Sequence, residues 1–273
     1  MYEPILYTDV PNSGAYPLGL CAAGYHVIAL VDGGTDVSAF GRGTYDFRHA
    51  TLLFLAPGRA EVFAAAARCP VERTLAFDPA RFRCTGLDRT VVEYAFFRYL
   101  PAEMLHLAAC ETRIVTDCME DIRRETLRRE DLFSCRVLAQ QIGLLLDHCA
   151  RMYERQFITR ELAARPLLTR YETFVTRWIE SGRLGTDGEP SDELSSAETG
   201  LSPAYLGSLL RFEKGYGHAE YVQFLRLETA RRLLDKAGRS AGEVARLLGF
   251  PSERCFRLFY RKVTGCPLPT AKC

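Results

Sequence analysis

The 273-residue chain lacks several features that would settle its chemistry early. No apolar run approaches the roughly 18 residues that a membrane span needs. The opening residues, MYEPILYTDVPNSG, place acids where a secretory signal has its basic region, so the expected location is the cytoplasm and no membrane partner is expected. No GxSxG, P-loop or GxGxxG motif is present, and no catalytic residue is assigned. The five histidines, His26, His49, His106, His148 and His218, are scattered with no HxH pair. A catalytic metal site needs several His and a carboxylate converging around an open coordination position, so no metal or other cofactor is expected. The ten cysteines include no CxxC pair and no paired zinc spacing. They read as reduced, small hydrophobes on apolar faces, with redox sensing as the alternative. Net charge is also nearly absent, at +1.

That small sum hides an uneven distribution. Residues 201–273 carry 13 Lys/Arg against six Asp/Glu, whereas residues 187–200 carry five acids and no base. One end of the chain is therefore suited to an anionic partner. Apolar residues make up 48% and charged residues 25%, which excludes disordered and fibrous classes. At about 150 residues per domain, the length suggests roughly two domains.

Three textures follow one another. Up to about residue 104, the short apolar runs YHVIALVD, ATLLFLAPG, RTLAFDP and RTVVEYAFF lie between turn residues, as in a compact antiparallel barrel. Pro57-Gly58 reads as a turn, and DGG at 32–34 and GRG at 41–43 read as hairpin turns. From residue 105 to 163 the periodicity is helical. Ile114, Val115, Cys118, Met119 and Ile122 form one stripe, and Leu138, Ile142, Leu145, Cys149, Met152 and Tyr153 form a second, in a helix running from about Leu132. These stripes either cover the barrel or pair with a second subunit. His106 and His148 fall on these helices. Arg165-Pro166 predicts a break before a helix with Leu168, Tyr171, Phe174, Val175 and Trp178 on one face, and GRLGTDGEPSDE predicts a loop.

The segment 164–273 holds a degenerate repeat. Gly200-Leu201 matches Gly249-Phe250 at an offset of 49, and Leu206, Leu209, Arg211 and Gly215 match Phe256, Phe259, Arg261 and Gly265 at an offset of 50. Each copy reads as helix, turn, helix. Gly249 supplies a left-handed helix end, Phe250 plugs the core, and Ser202-Pro203 starts the second helix of the first copy. The stretch from His218 to Leu234 reads as one connecting helix. Two such units can place their second helices in successive major grooves of double-stranded DNA, about 34 Å apart. Flanking Lys and Arg then meet phosphates, while side chains facing the groove read base edges.

The stretch GLSPAYLGSLLRFEKGYGHAEYVQFLRLETARRLLDKAGRSAGEVARLLGFPSERCFRLFYRKVTGCPL resembles the DNA-binding domain of AraC/XylS transcription regulators. Upstream, TLLFLAPGRAEVF resembles the cupin-type sensor barrel of such regulators, with Glu61 following Pro-Gly in place of a ligand His. AFFRYL followed by CARMYERQFITRE resembles the linking helices of one subgroup. Position by position, the resemblance implies base-facing Ala204, Gly207 and Ser208, with Arg211 towards the backbone. In the second unit it implies base-facing Glu253, Arg254, Arg257 and Leu258, with Arg261 and Lys262 near phosphate. Ala204 and Gly207 make no bidentate base contact, so the first helix would read shape or methyl groups. Ser195–Thr199 is more polar than a packed helix, and the closing CPLPTAKC departs from the family's usual Tyr-Arg.

The expected fold class is α+β. It comprises a cupin-like antiparallel β-barrel at 1–104, a helical dimerisation or relay segment at 105–163, and an all-α tandem helix-turn-helix domain at 164–273. The expected function is a one-component regulator of transcription bound to promoter DNA. Its expected partners are a small organic effector, a second copy of the chain and RNA polymerase. A cupin-type enzyme or thiol-responsive protein, and an interaction module with a degenerate helix-turn-helix, are the alternatives.

Overall fold

In the computed structural model, which describes residues 5–33, 40–235 and 239–268, the short apolar runs of the N-terminal third become one antiparallel sheet. Its strands are β1 (Ile5–Thr8), β2 (Asn12–Ser13), β3 (His26–Asp32), β4 (Ala50–Leu55), β5 (Pro70–Phe77) and β6 (Leu105–Leu107). The order is β1-β5-β3-β4-β6, with β2 paired to the same strand, β5, as β1. Register is set by pairs such as Val27↔Leu55 between β3 and β4, Ile28↔Leu75 between β3 and β5, and Thr51↔His106 between β4 and β6.

All six residues of β4 are buried. Successive side chains of a strand point to opposite faces, so the sheet is covered on both sides at its centre. Helix α1 (Ala15–Ala22) packs against β3 and β5. Phe54 of β4 meets Phe96, Phe97 and Tyr153 with ring centroids 4.4, 5.6 and 6.0 Å away.

The sheet is open rather than a closed barrel. Among the described residues β1 and β6 are its two edges, and no pairing joins them. The run RTVVEYAFF supplies no strand; it lies in α2 (Leu87–Thr90) and in 3-10 turns at Val91–Glu93 and Ala95–Arg98. Its buried residues Val91, Phe96 and Phe97 do not alternate, which is why a strand pattern fails there. GRG at 41–43 is flanked by no strand among the described residues and is not a hairpin turn, while Gly34 of DGG falls outside the described residues. Gly41, at φ +69°, lies where a Cβ would come within 1.8 Å of the Ala102 carbonyl oxygen.

The expected helices begin later than their texture. His106 belongs to strand β6, fully buried, rather than to a helix. Helices α3 (Ala109–Thr126) and α4 (Ser134–Thr159) pack on each other. Of their apolar stripes, Val115, Met119, Ile122, Ile142, Leu145 and Cys149 are buried within the chain itself, whereas Ile114 is exposed and Cys118 half-buried. Leu132 is not part of the stripe; it is 96% exposed ahead of α4. Beneath α4 runs a polar chain: Thr51 Oγ1 sits 3.0 Å from His106 Nδ1, the His106 amide donates to Gln156 Oε1, and Gln156 Nε2 donates to the Met104 carbonyl. Arg160 grips Asp46 through two bonds of 2.8 Å.

The chain divides into two compact units, Met1–Glu161 and Leu162–Cys273. The helical run is broken at Arg160 and not at Arg165-Pro166; α5 (Glu161–Glu180) carries Pro166 inside it. The polar stretch that follows is partly helical, with α6 (Arg183–Thr186) inside it and α7 (Asp192–Thr199) starting before its end. The second unit is completed by α8 (Pro203–Lys214), α9 (His218–Asp235), α10 (Ala241–Leu247) and α11 (Glu253–Thr264). Among the described residues no helix is long and apolar enough to cross a membrane.

Candidate nucleic-acid interface

The two repeat copies fold alike, and local chemistry explains where each helix begins and ends. The Ser202 hydroxyl accepts from the Tyr205 amide at the start of α8, with Pro203 at the first helical position. The Ser252 hydroxyl accepts from the Cys255 amide at the start of α11. Both helices run 12 residues and close on left-handed glycines, Gly215 and Gly265, whose amides donate to the Arg211 and Arg261 carbonyls. The one-residue change of offset lies between the turn glycine and the serine cap. Leu201 alone fills that gap in the first copy, and Phe250-Pro251 fills it in the second.

Gly249 ends α10 in a paired-bond turn: its amide donates to Arg246 and the Phe250 amide donates to Ala245. Its φ is +74°, and a Cβ there would sit 2.7 Å from the Leu184 carbonyl carbon and 2.8 Å from the Gly185 nitrogen. Phe250 is half-buried rather than a core plug, its ring tilted against Phe256 and Phe259 with centroids 5.4 and 5.0 Å away. The connecting helix is fastened to this turn by Arg226. Its guanidinium lies 3.8 Å from the Phe250 ring centroid and donates to the Leu248 carbonyl. Burial holds the Arg226 pKa below its usual value, partly offset by the Glu189 carboxylate.

The polar helix before the first turn packs because its hydroxyls find partners. Buried Ser195 sits 3.2 Å from His218 Nε2, and the Thr199 hydroxyl donates to the Ser195 carbonyl while accepting from the Leu201 amide. In the same unit, Glu172 accepts from the Tyr221 hydroxyl at 2.6 Å and pairs with Lys214 at 2.9 Å. Burial works to raise the Glu172 carboxyl, but those two donors hold it below the usual range.

The expected contact residues fall on the outer faces of these helices. Tyr205, Leu206, Leu209 and Leu210 bury one side of α8, leaving Ala204, Gly207 and Ser208 half-buried and Arg211 exposed. No heavy atom lies within 4 Å of where a Gly207 Cβ would stand, and the Ser208 hydroxyl donates to the Ala204 carbonyl. In α11, Phe256 and Tyr260 are buried while Glu253, Arg254, Arg257, Leu258, Arg261 and Lys262 are exposed. Arg257 does not stand by itself. It donates to Glu253 Oε1 through Nε at 2.8 Å and Nη2 at 2.6 Å. Glutamate four residues ahead of arginine on a helix is the readable sign of such a pair. Arg226 and the Ser195–His218 contact carry no comparable local signature. Cys273 and the last residues of CPLPTAKC lie outside the described residues.

The second unit thus holds two capped helix-turn-helix units joined by the connecting helix α9. Residues 195–270 match the family model for a helix-turn-helix domain. No curated protein sequence matches the chain. Among solved structures it is similar to a transcriptional regulator from Chromobacterium violaceum with an AraC-type DNA-binding domain. That match has 24% identity and a TM-score of 0.33, over 39% of this chain and 88% of the other. It is also similar to two structures of ToxT from Vibrio cholerae, one of them an apo single-substitution variant. Those matches have 10% and 9% identity and TM-scores of 0.30 and 0.28, over 97% of this chain and 96% of the other in both cases. At these scores the likenesses add no weight to the fold or the function.

Proposed function

We propose that the chain is a one-component transcription regulator that binds promoter DNA with α8 and α11 in successive major grooves. The observation that carries this reading is the matched pair of helices with outward arginines in a segment of net charge +7 over 201–273. Arg211, Arg261 and Lys262 serve phosphates. Arg254, Arg257, Glu253 and Leu258 face base edges, and Ala204, Gly207 and Ser208 allow close approach on the first helix.

In this reading the N-terminal unit senses a small organic effector. It contains a cleft of about 760 Å³ bordered by Tyr7, Phe82, Arg123 and Leu138, within the size of small-molecule sites, about 300–1,000 Å³. An effector acts only through different affinities for two arrangements of the protein. A homodimer and contact with RNA polymerase belong to the same reading.

The test is fluorescence anisotropy of labelled promoter-length duplex DNA, titrated with the full chain at two salt concentrations. Six to ten phosphate contacts predict an affinity loss of ~10³–10⁵ between about 50 and 200 mM salt. Absence of binding at low salt, with and without cell-extract metabolites, overturns the proposal. Among the described residues no group of three or more His, Cys, Asp or Glu is placed to hold a metal ion.

A further inference from the structure

The cysteines are not all packing. Cys21 and Cys149 are buried, but Cys84, Cys110, Cys255 and Cys266 are exposed, and Cys135 is half-buried. Cys84 and Cys135, 51 residues apart in sequence, bring their Sγ atoms to 3.6 Å within the N-terminal unit. A disulfide requires about 2.05 Å, so bonding asks each sulfur to move by less than one ångström.

Both thiols sit on braced segments. Cys84 lies in the 3-10 turn Pro79–Thr85, where Asp78 Oδ1 accepts from the Ala80 amide, the Thr85 hydroxyl donates to the Phe82 carbonyl, and Phe82 is buried. Cys135 lies in the first turn of α4, where Asp131 Oδ1 accepts from the amides of Phe133 and Ser134 and from the Ser134 hydroxyl. The turn packs directly on α4. The pair is therefore held in place by local hydrogen bonds, and one member is open to small oxidants.

We infer that Cys84 and Cys135 form a reversible intramolecular disulfide when the protein meets a hydroperoxide. Cys84, the exposed member, attacks the peroxide as its thiolate. Its sulfur gains an S–O bond, the O–O bond breaks, and the alcohol or water product leaves with the thiol proton. Cys135 then attacks the sulfenic sulfur, so an S–S bond forms, the S–O bond breaks, and the oxygen departs as water with the second thiol proton. In sum, two thiols and one hydroperoxide give one disulfide, one alcohol or water molecule, and one water. Burial, with the neighbouring Cys84 and Glu130, pushes the Cys135 thiol up, and exposure sets the order of the steps, because the oxidant meets Cys84 first. The inference rests on the N-terminal unit alone and stands whether or not the chain binds DNA.

The experiment treats the full chain with a slight excess of hydrogen peroxide, alkylates residual thiols under denaturing conditions, and measures intact mass and cross-linked peptides. The expected product is a monomer lighter by two hydrogens before alkylation, with Cys84 linked to Cys135 and fully restored by dithiothreitol. The linkage is absent in Cys84→Ser and in Cys135→Ser, whose retained fold is checked by circular dichroism. In Cys135→Ser, Cys84 accumulates as a sulfenic acid trapped by dimedone. Three results overturn the inference. These are over-oxidation of Cys84 with Cys135 still open to alkylation, an intermolecular dimer through Cys84, or a disulfide mapped to another pair.

Discussion

Replacing Gly249 by alanine is expected to damage the second helix-turn-helix far more than the same change at other helix-ending glycines. A left-handed backbone costs an L-residue about 1–2 kcal/mol. That cost applies equally to Gly215, at φ +78°, where nothing lies within 4 Å of an added Cβ. At Gly249 the Cβ meets the Leu184 carbonyl carbon and oxygen and the Gly185 nitrogen at 2.7–2.8 Å. These are backbone atoms that cannot rotate aside, so α6 must move, adding about 1–3 kcal/mol of overpacking. The expected destabilisation is about 2–5 kcal/mol for Gly249→Ala against about 1–2 for Gly215→Ala. Trp178, the chain's one tryptophan, reports on this region. Its Nε1 donates to the Gly188 carbonyl at 2.9 Å, and the Arg183 guanidinium lies 3.6 Å from its ring centroid. Urea unfolding followed by its emission, with a slope of about 1–3 kcal/mol per M, should place the Gly249→Ala midpoint roughly 1 M below that of Gly215→Ala. Equal midpoints would refute the argument that contact with residues 184–185 holds this turn.

Gly207→Ala should stabilise α8 by about 0.5–1 kcal/mol, because its Cβ meets nothing; if α8 enters a groove, the same variant binds DNA more weakly despite its higher unfolding midpoint. Glu253→Ala releases Arg257 and removes a negative charge from the outer face of α11, so DNA affinity should rise, whereas Arg257→Ala should lose about 1–3 kcal/mol of discrimination between operator and scrambled duplex in parallel anisotropy titrations. Arg226→Lys keeps the charge but not the planar stack on Phe250, and thermal unfolding should show a loss of about 1–2 kcal/mol. Burial lowers His26 and His106 to about 4. The unfolded chain therefore binds protons that the folded chain refuses, stability is full above pH 6.5, and it falls by up to about 3 kcal/mol per histidine as the pH drops towards 4. Urea midpoints by circular dichroism at pH 7.5 and 5 test this, and His26→Leu should flatten the slope by about half.

What the sequence disclosed followed from the range of the interactions involved. The capped ends of α8 and α11 depend on Ser202, Ser252, Gly215 and Gly265, all within one helix length of the structure they determine, so the repeat could be read directly. The runs YHVIALVD, ATLLFLAPG and RTLAFDP, which overlap β3, β4 and β5, were equally visible. Closure of the sheet was not, because it depends on which strands pair across long stretches, as Thr51 does with His106. An apolar run records burial without naming its partner. Pro166 misled for a related reason: proline discourages a helix locally, but the buried Ala164, Leu168, Tyr171 and Val175 keep α5 in register through it. The candidate contact residues are what the family resemblance implies, position by position. The Glu253–Arg257 pair that shares their face was within reach of residue type and spacing alone.

Strand β4 has a consequence for how the protein is made. ATLLFL has no charge, no proline and no glycine, and every residue of it is buried in the finished sheet. One of its two partners, β6, emerges from the ribosome about 50 residues later, which at ~5–20 residues per second is a wait of several seconds. Through that interval the nascent chain displays an apolar hexapeptide with an unpaired edge, a segment of the type that joins copies of itself. Yield of the folded protein should therefore depend on synthesis rate and chaperone supply more than on the equilibrium stability of either unit.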